Sequence, residues 1–226
     1  IAANEVGDRS ATLVFTTTDG KKNYTAETTI DQKGSIIVAT VADILNAEVG
    51  STIFRVTGIV TSVDAKYGNN IDIQDWSGKI YSYKTGNFKD VAKLGDIITM
   101  TGKRGEYKGP QIVDGVLEEV LASPIQKTLA EFVALPDDDG NTYVVTAVVK
   151  EIKSGDNALK YGNMILESED GTVTAETYGC YGQWNNTSKQ YFIKDNGIKA
   201  GDKITIVGAK TSYKGVNQMK NAYCVG

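Results

Sequence analysis

The sequence predicts an all-β protein made of two tandem five-stranded barrels, each with a short helix, preceded by a β-hairpin. Three observations carry this prediction: an internal duplication, a recurring order of short strands and turns, and the composition. Thr, Val, Ile and Tyr are abundant, and 24 glycines against 3 prolines suit many turns between strands.

The duplication is the clearest of the three observations. The stretch LGDIITMTG at 94–102 returns as AGDKITIVG at 200–208, and each copy is followed by Tyr-Lys-Gly. Gly95 and Gly201 are 106 residues apart (201 − 95), and Gly109 and Gly215 are separated by the same interval (215 − 109). Two unrelated loops would not keep this register, so the chain contains a duplicated β-domain.

Each copy is a turn that leads into a strand. Gly-Asp opens the turn, and period-two alternation then places Ile98, Met100 and Gly102 on one inward face. The second copy has Ile204, Ile206 and Gly208 at the matching positions. An inward glycine lets a strand bend, as a small closed barrel requires, although one hairpin of a β-sandwich has the same pattern.

Residues 1–38 form the first predicted unit, a hairpin with strands at 11–17 and 24–30. An isolated two-stranded hairpin is marginal in water, so it must pack on something or end a larger domain. The segments RSATL at 9–13 and TIDQKG at 29–34 resemble the end of a BACON-type immunoglobulin-like domain, which recurs in surface lipoproteins of gut anaerobes. The resemblance implies an exported protein with a lipid anchor upstream. Because residue 1 is Ile, we expect a mature or trimmed fragment.

The two repeats are predicted at 39–122 and 127–226, and each opens with a short capped helix. Thr40 with Asp43, and Thr128 with Glu131, have the spacing of a capping box. The connection between the repeats is uncharged and contains Pro124.

A strand, a hairpin and two further strands follow each helix. The order Val-x-Gly-x-Val, Ile-x-Ile-x-Asp-x-x-Gly-x-Ile and Leu-Gly-Asp-x-Ile-x-Met-x-Gly resembles an OB-fold, particularly the anticodon-binding-like OB domains of nucleic-acid-binding proteins. The resemblance covers nearly all of 50–121 and, less closely, 140–226. It implies a five-stranded barrel and single-stranded nucleic acid or an oligonucleotide as ligand.

Composition limits the possible chemistry. The net charge of −4 is spread evenly, which argues mildly against non-specific nucleic-acid binding. The absence of histidine removes the Ser-His-Asp and Cys-His nucleophile systems. We therefore predict no enzyme activity and no cofactor. The run Asp137-Asp138-Asp139 lacks the ligand spacing of a calcium loop and is interpreted as a solvated turn. Cys180 and Cys224 form either one disulfide or two free thiols.

A binding face is predicted on the first repeat. With Ile71, Ile73 and Ile80 pointing inward, the residues between them point outward. The candidate ligand-binding residues are Gln74, Trp76, Lys79, Tyr81, Tyr83, Arg104, Tyr107 and Lys108. Aromatic rings beside cations and amides suit stacked bases, and they suit the C–H faces of sugar rings equally well.

Three alternatives stay open at this point. The rings of the binding face can instead pack against the second repeat, since Tyr and Trp are favoured in interfaces. Tyr107-Lys108-Gly109 can be a purely structural turn. The second repeat has Ile165, Glu167, Thr174 and Glu176 at the matching outward positions, so only the first repeat is expected to bind phosphate.

The predicted function is thus a non-catalytic module that binds single-stranded nucleic acid. The alternative is a carbohydrate-binding, protein-binding or spacer module of an exported lipoprotein. No apolar run approaches 18 residues, so no membrane insertion of this segment is expected.

Overall fold

The computed structural model describes residues 9–32, 35–186 and 190–226, and it confirms the predicted fold class. The chain is mostly β, with two closed five-stranded barrels and an N-terminal hairpin. Within the described residues, no helix is long and apolar enough to cross a membrane. Lys33 and Gly34, part of the BACON-like motif, lie outside them.

The N-terminal hairpin pairs β1 (Arg9–Thr18) with β2 (Asn23–Gln32) and has no third strand among the described residues. Asp19 closes its turn by accepting hydrogen bonds of 2.8 Å from the backbone N–H groups of Lys21 and Lys22. The register puts Leu13, Phe15 and Ile30 on one face of the hairpin, where all three are exposed. This apolar face therefore lacks a cover in the described part of the chain.

The first barrel closes around strand β4. Its elements are β3 (Ile36–Val38), α1 (Val41–Asn46), β4 (Ile53–Val63), β5 (Ile71–Asp75), β6 (Gly78–Ser82), β7 (Ile97–Glu106) and β8 (Pro110–Ala122). Strand β4 pairs with both β5 and β7, and β6 runs parallel to β8. This closure is consistent with an OB-like fold, and β3 adds a short parallel strand outside it.

The second barrel repeats the closure. Its elements are β9 (Ile125–Gln126), α2 (Leu129–Val133), β10 (Tyr143–Ile152), α3 (Asp156–Tyr161), β11 (Met164–Glu167), β12 (Thr174–Tyr181), α4 (Phe192–Asp195), β13 (Lys203–Tyr213) and β14 (Val216–Cys224). Strand β10 pairs with β11 and β13, and β12 runs parallel to β14. The connection between the repeats is partly ordered into strand, because β9 joins this sheet beside β10.

The predicted helix caps are confirmed. Thr40 caps α1 and Thr128 caps α2. In each case the Thr hydroxyl accepts from the N–H of the third helical residue, and the carboxylate of that residue accepts from the N–H of the Thr. The N–H of Val41 also donates to a carboxylate oxygen of Asp75 at 2.9 Å, which fixes α1 to the β5–β6 turn. At the start of α1 these bonds, with one from the N–H of Ala42 to the Ser77 hydroxyl at 2.9 Å, satisfy donors that have no partner within the helix.

Inward glycines stand where strands of the first barrel approach closely, as predicted for Gly102. A β-carbon at Gly58 would collide with the backbone carbonyl of Gln74, and one at Gly102 would collide with Ile112. Ala147 takes the place of Gly58 in the second barrel and is fully buried. The strands can therefore approach more closely in the first barrel than a side chain would allow.

A third apolar cluster joins the two barrels. Ile59 and Ile97 of the first barrel pack with Val207, Tyr223 and Val225 of the second, and Val144 completes this set. The Tyr223 hydroxyl donates to the backbone carbonyl of Thr57 at 3.1 Å, and burial raises the pKa of Tyr223. The chain thus buries an apolar junction between its repeats.

The two cysteines are free thiols in this structure, and both are buried in the core of the second barrel. They lie on the neighbouring strands β12 and β14. The hydrogen bond with Cys224, together with burial, raises the pKa of Cys180. A thiol held neutral in this way is a poor nucleophile.

Candidate functional site

A groove of about 760 Å³ opens on the first barrel where the β7–β8 turn meets the parallel pair of β6 and β8. It is bordered mainly by aromatic and small side chains. The lining residues are Tyr81, Tyr83, Tyr107, Lys108, Gly109, Pro110, Gln111 and Val113. We call this region the tyrosine groove. Half of the eight residues predicted for the binding face meet there: Tyr81, Tyr83, Tyr107 and Lys108.

The strand pattern positions the first two tyrosines. Ile80 and Ser82 point into the barrel and are buried, so Tyr81 between them points outward. Tyr81 lies opposite Gln111 in the parallel pair of β6 and β8. The backbone N–H of Tyr83 donates to the carbonyl of Ile112 at 3.0 Å, which holds the chain against β8 just after β6 ends. Both rings therefore project from a fixed backbone.

Two tyrosines of the groove are each followed by a lysine in the left-handed backbone region. Lys84 has φ of 51° and Lys108 has φ of 58°, a conformation uncommon for residues other than glycine. The ammonium of Lys84 lies 5.0 Å from the ring centroid of Tyr83, and that of Lys108 lies 5.6 Å from that of Tyr107. Each pair combines a ring face with a positive charge, as cation–π contacts do.

Tyr81 forms the less exposed side of the groove. It is 38% exposed, against 70% for Tyr107. Burial raises the pKa of Tyr81, and the nearby carboxylates of Asp64 and Asp72 raise it further. The Tyr81 hydroxyl thus stays protonated at neutral pH and can donate a hydrogen bond. None of the described side chains that line the groove is a carboxylate.

The loop before β5 supports one end of the groove. Asp64 accepts hydrogen bonds from the backbone N–H groups of Lys66, Tyr67 and Asn70, at 3.0, 2.7 and 3.0 Å. These bonds, the one to Tyr67 first, lower the pKa of Asp64. Asn70 in turn accepts from the N–H of Lys84 at 2.9 Å. The loop conformation is therefore tied directly to one of the two Tyr-Lys pairs.

Two of the predicted binding residues lie at the barrel junction instead. The side-chain amide of Gln74 donates to the carbonyl of Val225 at 3.0 Å. The ring of Trp76 meets Phe192 of the second barrel edge to face, with centroids 5.4 Å apart. Gln74 and Trp76 therefore pack on the second repeat, as one of the alternatives predicted. The tyrosines do not, because they face outward.

The two remaining cations are engaged elsewhere. Arg104, predicted as a ligand-binding residue, lies in strand β7, where it is buried and pairs with Glu106 at 2.8 Å. The sequence has the signal for this, because Arg104 shares the inward parity of Met100 and Gly102. Lys79 is exposed and lies 3.7 Å from Asp72. Neither cation lines the tyrosine groove.

Gln111, Pro110 and Val113 line the groove but were not singled out from the sequence. They follow the Tyr-Lys-Gly turn, and the parallel pairing of β8 with β6 brings them beside Tyr81. The sequence did offer a signal for these three residues, because they directly follow the repeated Tyr-Lys-Gly turn.

The acidic run at 137–139 is an exposed turn, and its carboxylates also contact the second barrel. Asp137 pairs at 2.6 Å with the buried ammonium of Lys210. Asp138 pairs with Lys220, and Asp139 accepts a hydrogen bond from Tyr143. No cluster of described residues is suited to hold a metal ion.

Comparison of the sequence with models of known protein families gives no match, and comparison with curated proteins gives none either. The geometry of the groove is therefore the basis for any assignment of function.

Proposed function

We propose that this chain is a non-catalytic module that binds single-stranded nucleic acid through the tyrosine groove of the first barrel. The observation that carries the proposal is the set of three outward tyrosines with Lys84 and Lys108 beside two of them. Base stacking on aromatic side chains is tolerant of sequence, and lysines beside the rings can neutralise phosphates. The Tyr81 hydroxyl and the Gln111 amide supply hydrogen bonds to base edges.

The proposal agrees with the resemblance to anticodon-binding-like OB domains. Such barrels bind ligands across the face of their second and third strands, and the tyrosine groove adjoins β6, the third strand of the first barrel. In the same proposal, the hairpin is the end of a BACON-like domain and the protein is an exported surface lipoprotein.

A glycan is the second candidate ligand. Gln111 offers an amide beside the ring of Tyr81, and Arg104 is withdrawn into the barrel. An aromatic shelf with amide neighbours and few accessible cations suits a neutral sugar, since ring faces pack on C–H faces. The hairpin has a separate exposed apolar face, formed by Leu13, Phe15 and Ile30, and this face favours binding of a protein partner.

Calorimetric titration with a short single-stranded oligonucleotide tests the proposal. For a single strand, the logarithm of the binding constant falls with the logarithm of the salt concentration, with a slope of about −0.7 per neutralised phosphate. If Lys84 and Lys108 each neutralise one phosphate, affinity falls about sevenfold from 50 to 200 mM salt. Calorimetry is preferred to tryptophan fluorescence because Trp76 lies at the junction. A neutral oligosaccharide is titrated in parallel, and a response to it alone would replace nucleic acid with glycan.

A matched pair of variants locates the binding. Tyr107→Ala removes a ring from the groove, and loss of one stacked base weakens binding by about 1–3 kcal/mol. Tyr24→Ala is the control, because Tyr24 is also exposed and also has a lysine, Lys22, 5.7 Å from its ring centroid, but it lies on the hairpin. Equal losses from the two variants would refute the groove as the site.

A further inference from the structure

The second barrel has two adjoining depressions of about 320 and 380 Å³, and Asn163 and Tyr178 border both of them. They lie at the β13–β14 turn and along the parallel pair of β12 and β14. This is the position that the tyrosine groove takes on the first barrel.

The correspondence extends to single residues. Gln218 lies opposite Glu176 in the parallel pair of the second barrel, as Gln111 lies opposite Tyr81 in the first. The turn also repeats the Tyr-Lys pair. Lys214 has φ of 50°, and its ammonium lies 5.2 Å from the ring centroid of Tyr213.

Two exposed rings border this surface. Tyr178 is 63% exposed and Tyr213 is 62% exposed. Tyr178 follows Glu176 by two residues on β12, so both side chains point outward, whereas Thr177 between them is buried. Two solvent-facing tyrosines with a lysine beside one of them repeat the arrangement of Tyr83, Tyr107 and Lys108.

The sequence predicted two outward carboxylates that disfavour phosphate binding by this repeat, Glu167 and Glu176, and both are paired with lysines. Lys153 contacts Glu176 at 2.8 Å, and the Gln218 amide donates to the same carboxylate at 3.1 Å. The Lys153 ammonium offsets the charge of Glu176, so repulsion of an anionic ligand is reduced. The floor of the second groove is thus a neutral polar cluster in place of the Tyr81 ring.

We infer that the second barrel carries its own ligand groove, bordered by Tyr178, Tyr213 and Lys214, for a second segment of the same ligand. The inference rests on the proposed function. A base stacks on the exposed rings, Lys214 faces a phosphate, and the cluster of Glu176 and Gln218 accepts a hydrogen bond from the base edge. The chain therefore binds two short segments of single strand, one on each barrel.

Calorimetry with a four-nucleotide thymidine oligomer tests this stoichiometry on the whole chain. We expect two oligomers bound per chain. The double variant Tyr178→Ala/Tyr213→Ala is expected to weaken one site at least tenfold, since each stacked base contributes appreciably to affinity. Tyr83→Ala/Tyr107→Ala is expected to weaken the other site, and circular dichroism checks that both variants are folded.

The outcomes separate the two proposals. One oligomer per chain, lost only with the Tyr83 and Tyr107 variant, overturns the second groove and leaves the proposed function standing. One oligomer lost only with the Tyr178 and Tyr213 variant supports the second groove and refutes the first. No binding of the oligomer overturns both.

Discussion

Replacement of Trp76 with Ala distinguishes a junction residue from a ligand-binding one. The half-buried indole removes about 100 Å² of apolar surface from water, which at about 25 cal/mol per Å² contributes roughly 2.5 kcal/mol. The edge-to-face contact with Phe192, at a centroid distance of 5.4 Å, adds about 0.5–1.5 kcal/mol. We therefore expect Trp76→Ala to lower the free energy of unfolding by about 3 kcal/mol.

Urea unfolding followed by circular dichroism measures this loss, and the calorimetric titration is repeated on the same variant. Because Trp76 does not line the tyrosine groove, affinity is expected to stay within twofold of the wild type. Tyr83→Ala is the reciprocal control, with little loss of stability and a clear loss of binding. A stability loss within about 0.5 kcal/mol for Trp76→Ala, the scale of a surface substitution, would refute the junction assignment, as would a parallel loss of binding.

Three further predictions concern the barrels. Gly58→Ala is expected to destabilise the chain by about 1–3 kcal/mol in urea unfolding, because its β-carbon overlaps the Gln74 carbonyl; a neutral result would contradict the close approach. The hydrogen bond from Lys210, then that from Ser212, lowers the pKa of Asp137, so its contribution to stability is complete at neutral pH and is lost as pH falls through the lowered pKa. Asp137→Asn should flatten that acid limb of a stability–pH curve, and an unchanged limb would refute this. A thiol reagent should modify Cys180 only after unfolding, whereas rapid modification of the native protein would show that the thiol is accessible.

The barrels were predictable because alternation and duplication constrain the same strands. The inward positions Ile98, Met100 and Gly102 follow from the duplicated stretch alone, and the two capping boxes locate the helices. Helix α3 (Asp156–Tyr161) was not predicted, because it starts after Gly155 with no side-chain cap and six residues are too few for a helical period to stand out. The pairing of distant segments, such as β6 with β8, was not predicted, because it depends on how the sheet closes and not on the local pattern of either strand.

The candidate site was only partly predictable, because local alternation identifies which side chains point outward but not what covers them. Ile59 and Ile97 are apolar residues at positions where alternation predicts outward side chains. These two residues could have indicated the junction between the barrels, where Gln74 and Trp76 also lie. The left-handed backbone at Lys84 and Lys108 has no signature in the side chains themselves. The position of each ammonium beside its tyrosine therefore follows from the backbone conformation and cannot be predicted from the residue types.

The junction between the barrels has a consequence for the order of events during synthesis. Its contributions from the second barrel include Tyr223 and Val225, and Val225 follows Ala122, the last residue of the first barrel, by 103 residues (225 − 122). At a translation rate of about 5–20 residues per second, the ribosome adds that stretch in roughly 5–20 s. During this interval a folded first barrel leaves Ile59 and Ile97 without their partners. The nascent chain is then open to chaperones or to association with its neighbours until the last strand of the second barrel emerges.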